Sequence, residues 1–284
     1  MAGQNFRCLY INLDRSPDRR AAVEAELAAA GVEAERVSGF DGKQSLRVEA
    51  TTYRPWRRAI VGSPLNAAEI GCVESHRRAL RRLVEAGDAY GVILEDDVAL
   101  LPGFRDAVSA LIRDTAGWDV VRLEWRKPGV LADARTSART GHRLVVPKNM
   151  TYGAAAVLYS LRGARLVLKS LDKAYFQTPD AQIGAMCDLT FRFFQIDPAI
   201  ASEKPVASLL GNRPELWGGT DRASSQRSWL QTLGNGLYRD WISIRRRVSA
   251  KPNAALLRRA SRRLRTPDAA PPPDTGDVVT PASA

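Results

Sequence analysis

Three consecutive acids, Glu95, Asp96 and Asp97, interrupt an apolar stretch, GVILEDDVALLPGF, at residues 91–104. Val92 to Leu94 before them predict a buried strand. Neighbouring carboxylates repel one another, and an ionised group without a partner is costly to bury. The triplet therefore needs a counter-charge, contact with water, or both. A divalent cation such as Mg²⁺ or Mn²⁺ is one solution, because it favours oxygen ligands and bridges carboxylates to a diphosphate. An exposed turn of solvated acids is the other.

A second polar group follows the first apolar segment, RCLYINL, at residues 7–13. Asn12, Arg15 and Arg19 lie at the carboxyl end of this predicted strand or at the start of the next helix. A helix N-terminus favours an anion, and guanidinium groups bind phosphate oxygens. Phosphate binding is therefore one interpretation of the group, and a capped surface helix with solvated arginines is the other.

The elements that must position these groups alternate between strands and helices. Strands are predicted at 7–13, 91–94, 119–125 and 143–147, helices at 16–31 and 66–87, a strand followed by a helix at 153–171, and a late strand within 191–201. In the first helix Ser16 is a candidate cap, Pro17 suits the first position, and Gly31 is a candidate terminator. This alternation predicts an α/β domain with a mostly parallel central sheet. In such sheets ligands bind beyond the carboxyl ends of the strands, where the acid triplet lies.

The formal net charge of +11 is concentrated near the C-terminus. Residues 239–265 contain ten Lys or Arg and one Asp, a net charge of +9. One hypothesis is that this segment binds an anionic membrane surface, and the alternative is a solvated run of charge. Because the rest of the chain is nearly neutral and shows no recognised binding module, we expect no nucleic-acid partner despite the pI of about 10.0.

Several classes of protein are disfavoured by what the sequence lacks. No apolar run approaches the ~20 residues that span a bilayer, and the first residues do not resemble a signal peptide. Cys8, Cys72 and Cys187 are few and scattered, which indicates reduced thiols. The sequence contains neither a G-x-S-x-G motif nor a P-loop, so a nucleophilic hydrolase or an NTPase has little support. We therefore expect a cytoplasmic protein.

Four motifs resemble glycosyltransferase family 25 in order and spacing. They are YINLDRSPDRR at 10–20, AEIGCVESH at 68–76, VILEDDV at 92–98 and GAAAVLYSLRGARLVL at 153–168. The resemblance covers about residues 6–200. It implies a GT-A-like fold and an inverting hexosyltransferase, which takes galactose from UDP-galactose to a sugar acceptor of lipopolysaccharide or another surface glycan. If the basic C-terminal segment binds a membrane surface, it would hold such an enzyme on the inner face of the membrane, where lipid-linked acceptors are made.

The resemblance assigns roles to residues of the first strand and of the acid triplet. Asp97 would bind Mn²⁺ or Mg²⁺, with Glu95 or Asp96 reaching the ribose or a second coordination position. The residues of the first polar group (Asn12, Arg15 and Arg19) would lie near the nucleotide.

The remaining motifs leave alternatives open. Glu69, Ser75 and His76 fall on the EIGC…SH motif, whose role is donor binding or packing behind the donor. His76 also lies on an apolar helix stripe, where a packed histidine is the ordinary interpretation. For the base that deprotonates the acceptor, the segment TPDAQIGAMCDL offers Asp180 and Asp188, and Asp180 is preferred because it follows Pro179.

We predict a glycosyltransferase domain over residues 1–210, a basic helical extension over 211–265, and a disordered tail over 266–284. The expected partners are a nucleotide-sugar donor and a glycan or glycolipid acceptor. Two alternatives remain at this point: a catalytically silent homologue, and a basic protein that binds nucleic acid or anionic membranes.

Overall fold

The structure, a computed structural model, describes residues 4–42, 52–54, 56, 65–124, 129–135, 141–148, 153–186, 189, 191–204 and 229–265. Its strands are β1 (Arg7–Asn12), β2 (Glu35–Ser38), β3 (Tyr90–Glu95), β4 (Val98–Leu100), β5 (Val120–Arg122), β6 (Val130–Arg135), β7 (Arg143–Pro147), β8 (Ala156–Ser160), β9 (Phe193–Asp197) and β10 (Ala201–Glu203). Its helices are α1 (Pro17–Ala29), α2 (Ala67–Ala86), α3 (Phe104–Asp114), α4 (Leu161–Lys173), α5 (Pro179–Ala185) and α6 (Trp229–Arg265).

Within the described residues, eight strands form one sheet in the order β2-β1-β3-β8-β5-β9-β7-β6. The pairings of β1 with β2 and β3, and of β5 with β9, are parallel. Strands β8 and β7 run opposite to the rest, so the pairings that involve them are antiparallel. The prediction of a mostly parallel sheet is thus correct around β1 to β3 and wrong in the other half. An apolar central strand such as β8 has a similar composition in either direction, so its sequence does not reveal the reversal.

The two faces of the sheet are covered by different helices, because successive strand residues point to opposite faces. Cys8, Tyr10 and Leu94 face a core that also contains residues of α1, α3 and α6. Leu9 and Ile93 face the core formed with α2 and α4. The molecule therefore has three layers, with the sheet between two layers of helices.

Helix termini follow the sequence signals closely, with one exception. At the start of α2 the Asn66 side chain accepts a hydrogen bond from the Glu69 amide at 2.8 Å, and the Glu69 carboxylate accepts one from the Asn66 amide at 2.7 Å. The helix ends before Gly87, whose φ of 72° suits a residue without a Cβ. At the start of α1, Ser16 occupies the cap position without a side-chain hydrogen bond, so the prediction of a capping serine is wrong.

The C-terminal helix α6 is part of the domain. It is 37 residues long, and its Ala250 and Leu257 belong to the same core as β1 and β3. The structure has a helix in the predicted extension from residue 229, and it packs on the body within the same layer as α1 and α3. Residues 211–228 and the predicted tail lie outside the described residues. Among the described helices, none is both long and apolar enough to cross a membrane.

A small second sheet supports the end of the acid triplet. Strand β4 pairs antiparallel with β10, and the Lys204 amide donates a hydrogen bond to the Asp97 carbonyl at 2.7 Å. The Lys204 ammonium lies 2.8 Å from the carboxylate of Glu26 on α1. The turn after β3 is therefore fixed from two sides.

Candidate functional site

The acid triplet lies beside a pocket of about 130 Å³ at the carboxyl ends of β1 and β3. Helices α1 and α2 and the loop after β2 complete its walls. Most of the residues selected from the sequence line it: Asn12, Arg15, Arg19, Ser75, His76, Glu95, Asp96 and Asp97. Groups that are up to 85 positions apart in the chain thus meet where the sheet topology brings strand ends together.

Parallel pairing brings Asn12 to the triplet. Ile11 of β1 pairs in register with Glu95 of β3, so the next residue of β1 lies beside the turn. The Asn12 side-chain amide is buried and donates to Asp96 Oδ2 at 2.7 Å and to the Ser16 carbonyl at 3.1 Å. Asn12 therefore joins the first βα turn to the acids.

The counter-charge that the triplet needs comes partly from α1. One terminal nitrogen of Arg19 donates to a carboxylate oxygen of Asp96 and, at 3.0 Å, to Asp97 Oδ2. Arg15 lies on another side of the pocket, where its Nε donates to Asp41 Oδ2 at 2.6 Å. Two guanidinium groups thus stand at the pocket, and one of them bridges two acids.

Asp97 remains incompletely compensated. Burial, and then the charge of Glu95, raises the pKa of its carboxyl to about 7, while Arg19 opposes the shift. Its Oδ1 is buried and has no hydrogen-bond partner among the described residues. An orphaned carboxylate oxygen beside other acids is a ligand that a hard cation prefers. The triplet therefore fits Mn²⁺ or Mg²⁺.

Glu95 also belongs to a softer set of ligand atoms. Its Oε1 lies 2.8 Å from His76 Nε2 and 3.9 Å from Cys72 Sγ, and the three donor atoms all fall within 4.8 Å of one another. Burial, and then the charge of Glu95, raises the pKa of Cys72, so its thiol is neutral. His76 is therefore a packed histidine that also orients the first acid of the triplet.

Glu69 and Asp180 are not among the described residues that line the pocket. Glu69 is buried and completes the capping box of α2, which is a structural role. Asp180 accepts hydrogen bonds from the Gly153 amide at 2.6 Å and from the Ala181 amide at 2.8 Å. Both carboxylates add to the raised pKa of Cys72, which lines the pocket, so both lie close to that residue. Asp188 lies outside the described residues.

Sequence analysis selected no individual residue of the loop after β2, which contributes Phe40, Asp41 and Gly42 to the lining. A Cβ on Gly42 would lie 1.8 Å from the Ala67 carbonyl oxygen, so the loop contacts α2 directly. The Phe40 amide donates to Ser75 Oγ at 2.8 Å. Ser75 therefore holds this loop in place. The glycines that flank Phe40 and Asp41, directly after a strand, were the available signal.

Glu203 of β10 also lines the pocket and was not predicted. It ends a short strand whose position depends on pairing with β4, about a hundred residues earlier in the chain. No local sequence pattern predicts such a long-range strand pairing.

The chain was compared with known proteins. The family described as "Glycosyltransferase family 25 (LPS biosynthesis protein)" matches residues 6–175. A "Glycosyltransferase 25 family member" of Aedes aegypti is 27% identical over 173 residues, which are 57% of this chain and 28% of that protein. The "Procollagen galactosyltransferase 1-B" of Xenopus laevis is 26% identical over 169 residues, 56% of this chain and 27% of the relative.

A third relative, of Mus musculus, is named "Inactive glycosyltransferase 25 family member 3" and is 28% identical over 169 residues, 56% of this chain and 28% of the relative. The matches thus span less than a third of each relative's length. Among solved structures, one match is a glycosyltransferase involved in the glycosylation of the major capsid of PBCV-1. The match covers 72% of this chain and 94% of that chain, at 11% identity and a TM-score of 0.40. This likeness is too slight to identify the fold. The family match spans more than half of the chain and includes all three acids of the triplet. The chain therefore belongs to glycosyltransferase family 25.

Proposed function

We propose that this chain is an active, inverting hexosyltransferase with a GT-A-like fold. It takes galactose from UDP-galactose to a sugar acceptor of lipopolysaccharide or another surface glycan. One observation carries the proposal: acids and arginines converge on a single pocket at the carboxyl ends of β1 and β3. Membership of the family supports glycosyl transfer, and the name of the Xenopus laevis relative supports galactose as the sugar.

The arginines of the pocket are the groups that bind the donor diphosphate. Arg15 and Arg19 both line the pocket and present planar guanidinium groups, which suit phosphate oxygens. The bond of Arg19 to two acids keeps its side chain extended across the site before the donor arrives. Holding the donor rigidly against the acceptor accounts for much of the acceleration in such a reaction.

A divalent cation completes the charge balance in this proposal. Asp97 would hold it through the Oδ1 that lacks a partner among the described residues, and Glu95 would be the second ligand. Mn²⁺ or Mg²⁺ held there would supply positive charge to stabilise the departing diphosphate. Asp96, held by Asn12 and Arg19, keeps the turn in position and is the acid closest to the first βα turn.

The reaction itself is a single displacement. The acceptor hydroxyl oxygen forms a bond to the anomeric carbon while the bond from that carbon to the diphosphate oxygen breaks, and a carboxylate takes the hydroxyl proton. Asp180 remains the proposed base, since its carboxylate is ordered by the Gly153 amide and lies near Cys72. Replacing Asp180 with Asn should lower kcat by about a hundredfold or more with little change in donor affinity. An unchanged kcat would transfer the role to another carboxylate, with Asp188 the first to test.

The proposal is tested by turnover. The purified protein is incubated with a panel of UDP-, GDP- and CMP-sugars and glycan acceptors, with Mn²⁺ or with a chelator, and glycosylated product is measured. Transfer from one UDP-hexose that requires the cation supports the proposal. A folded protein whose melting temperature is raised by none of the nucleotide sugars, and which transfers no sugar, would be the silent homologue. The name of the mouse relative is the reason to consider this alternative.

The cytoplasmic location and the glycan or glycolipid acceptor stay predictions. Fractionation of cells that express the full chain separates a cytosolic pool from one at the inner membrane face. Release of the membrane pool by salt would support a peripheral association.

A further inference from the structure

Helix α6 is fixed to the body along one face. Ile242, Ala250, Ala254 and Leu257 are almost completely buried, and the Arg246 guanidinium donates to the Gly184 carbonyl at 3.0 Å. Arg258 adds a bond of 2.5 Å to the Asp133 carbonyl of β6. From Ile242 onward the helix therefore presents its opposite face in a fixed orientation.

That opposite face carries a stripe of large apolar side chains, which we call the apolar stripe. Its members recur every three or four residues, and each is between 49% and 73% exposed: Trp229, Leu233, Leu237, Trp241, Ile244 and Val248. At about 100° per residue they fall within an arc of about 120°, and they extend over about 29 Å of helix. One acid, Asp240, interrupts them. A continuous exposed stripe of this size marks an interaction surface.

Exposed basic residues flank and continue the apolar stripe: Arg247, Lys251, Arg259 and Arg262. By helical spacing Lys251 and Arg262 fall on the same arc, beyond Val248. The Arg245 guanidinium carbon lies 4.5 Å from the centre of the Trp241 ring, which couples the basic and aromatic groups. The surface thus combines apolar area, two tryptophans and a strong positive charge.

We infer that the apolar stripe and its basic flank form an interfacial membrane-binding surface, whose occupant is an anionic phospholipid bilayer. A helix that lies parallel to a bilayer buries its apolar side chains at the acyl boundary, places tryptophan at the headgroup level, and holds Lys and Arg against anionic headgroups. The relevant surface begins at Trp229, ten residues before the basic segment that the sequence singled out. This inference is independent of the donor pocket.

Charge argues against the other occupants. A second copy packed in parallel on the apolar stripe would bring the basic residues at 245–262 of two helices together, with repulsion between them. A nucleic acid would satisfy the arginines but would leave the exposed leucines and isoleucine without apolar contact. An anionic bilayer satisfies both parts of the surface.

Co-sedimentation with vesicles tests the inference on the full chain. Truncation is unsuitable, because Ala250 and Leu257 belong to the core. The informative variant is Leu237→Gln, in the middle of the apolar stripe, and its matched control is Leu256→Gln, an exposed leucine about 60° outside the arc. Vesicles of phosphatidylcholine alone are compared with vesicles that contain equal parts of phosphatidylglycerol.

We expect binding to the anionic vesicles only, about tenfold weaker for Leu237→Gln than for the native chain, and unchanged for Leu256→Gln. Raising salt from about 0.1 M to about 0.5 M should weaken binding by more than tenfold, because it screens the headgroup attraction. Equal binding by both variants, or no binding to anionic vesicles by the folded protein, would overturn the inference. A concentration-dependent dimer that Leu237→Gln abolishes would instead assign the surface to a second copy.

Discussion

The two halves of the sheet position their polar groups in different ways. In the half formed by β1 to β3, parallel strands end at one edge, and Asn12, Arg19 and the acid triplet meet within hydrogen-bond distance. In the half that contains β8, β5 and β9, parallel and antiparallel pairings are mixed, and Asp180 accepts a hydrogen bond from the Gly153 amide from its position on a short helix. Parallel pairing concentrates chemistry at one edge, whereas the mixed half distributes it over loops.

This difference suggests a division of labour. The parallel half is built to bind one charged ligand, because its donors and acids converge on one pocket. The mixed half supplies a buried polar group formed by Arg122, Glu124 and Asp180, in which burial lowers the pKa of Arg122 and the two acids oppose that shift. We assign donor binding to the first half and contact with the acceptor to the second.

The largest effect is expected from Asp97→Asn. Loss of the orphaned carboxylate should reduce transfer by about a thousandfold, since a charge-stabilising ligand is worth about this much. The measurement is kcat/KM for transfer in saturating Mn²⁺, and the exposed Asp106→Asn on α3 is the matched control. Near-normal transfer by a folded Asp97→Asn protein would show that the acid triplet of the parallel half is not required for catalysis.

A smaller loss is expected from Arg19→Ala. The guanidinium bridges Asp96 and Asp97 and faces the donor, so its removal should weaken UDP binding by about a hundredfold. Arg19→Lys should recover only part of this loss, because an ammonium lacks the planar fork. Titration calorimetry with UDP measures both variants. Full recovery of UDP affinity in Arg19→Lys would mean that the positive charge alone accounts for UDP binding, without the bridge to Asp96 and Asp97.

The pKa of Asp97 predicts how affinity for Mn²⁺ depends on pH. Because the pKa is raised to about 7, a proton competes with the cation below that value, and affinity should rise about tenfold per pH unit up to about pH 7 and then level off. Without cation the sign of the stability effect is opposite. Between about pH 4 and pH 7 the unfolded state loses this proton while the folded state keeps it, so stability falls as pH rises.

Asp97→Asn should abolish that part of the pH dependence. The measurement is the free energy of unfolding of both proteins in chelator across this pH range. Identical pH profiles for the two proteins would show that Asp97 is not the group responsible.

The smallest effect concerns the loop after β2. Gly42→Ala should cost about 1–3 kcal/mol of stability, because its Cβ would collide with the Ala67 carbonyl. The same substitution at Gly236, a helical position with nothing within 4 Å, should be neutral or stabilising by about 1 kcal/mol. Chemical denaturation compares the two. If Gly42→Ala is as stable as Gly236→Ala, the loop is not held tightly against α2.

Local patterns predicted the parts of the site that depend on neighbouring parallel strands. Asn12 and Glu95 follow apolar strands, and a parallel register is enough to bring them together. The motif that contains Glu69 left donor binding or packing behind the donor open, and in the structure Glu69 caps α2, as an N-x-x-E sequence can do. The reversal of β8 and the arrival of Glu203 through β10 depend on long-range pairing, which periodicity does not reveal.

The central claim is that the pocket beside the acid triplet binds a nucleoside diphosphate with the help of a cation. Calorimetric titration of UDP into the native protein, with Mn²⁺ and with a chelator, tests it most directly. We predict measurable binding that weakens at least tenfold in the chelator and is lost in Asp97→Asn with Mn²⁺ present. Equally tight binding in all three conditions, or no binding in any, would contradict the claim.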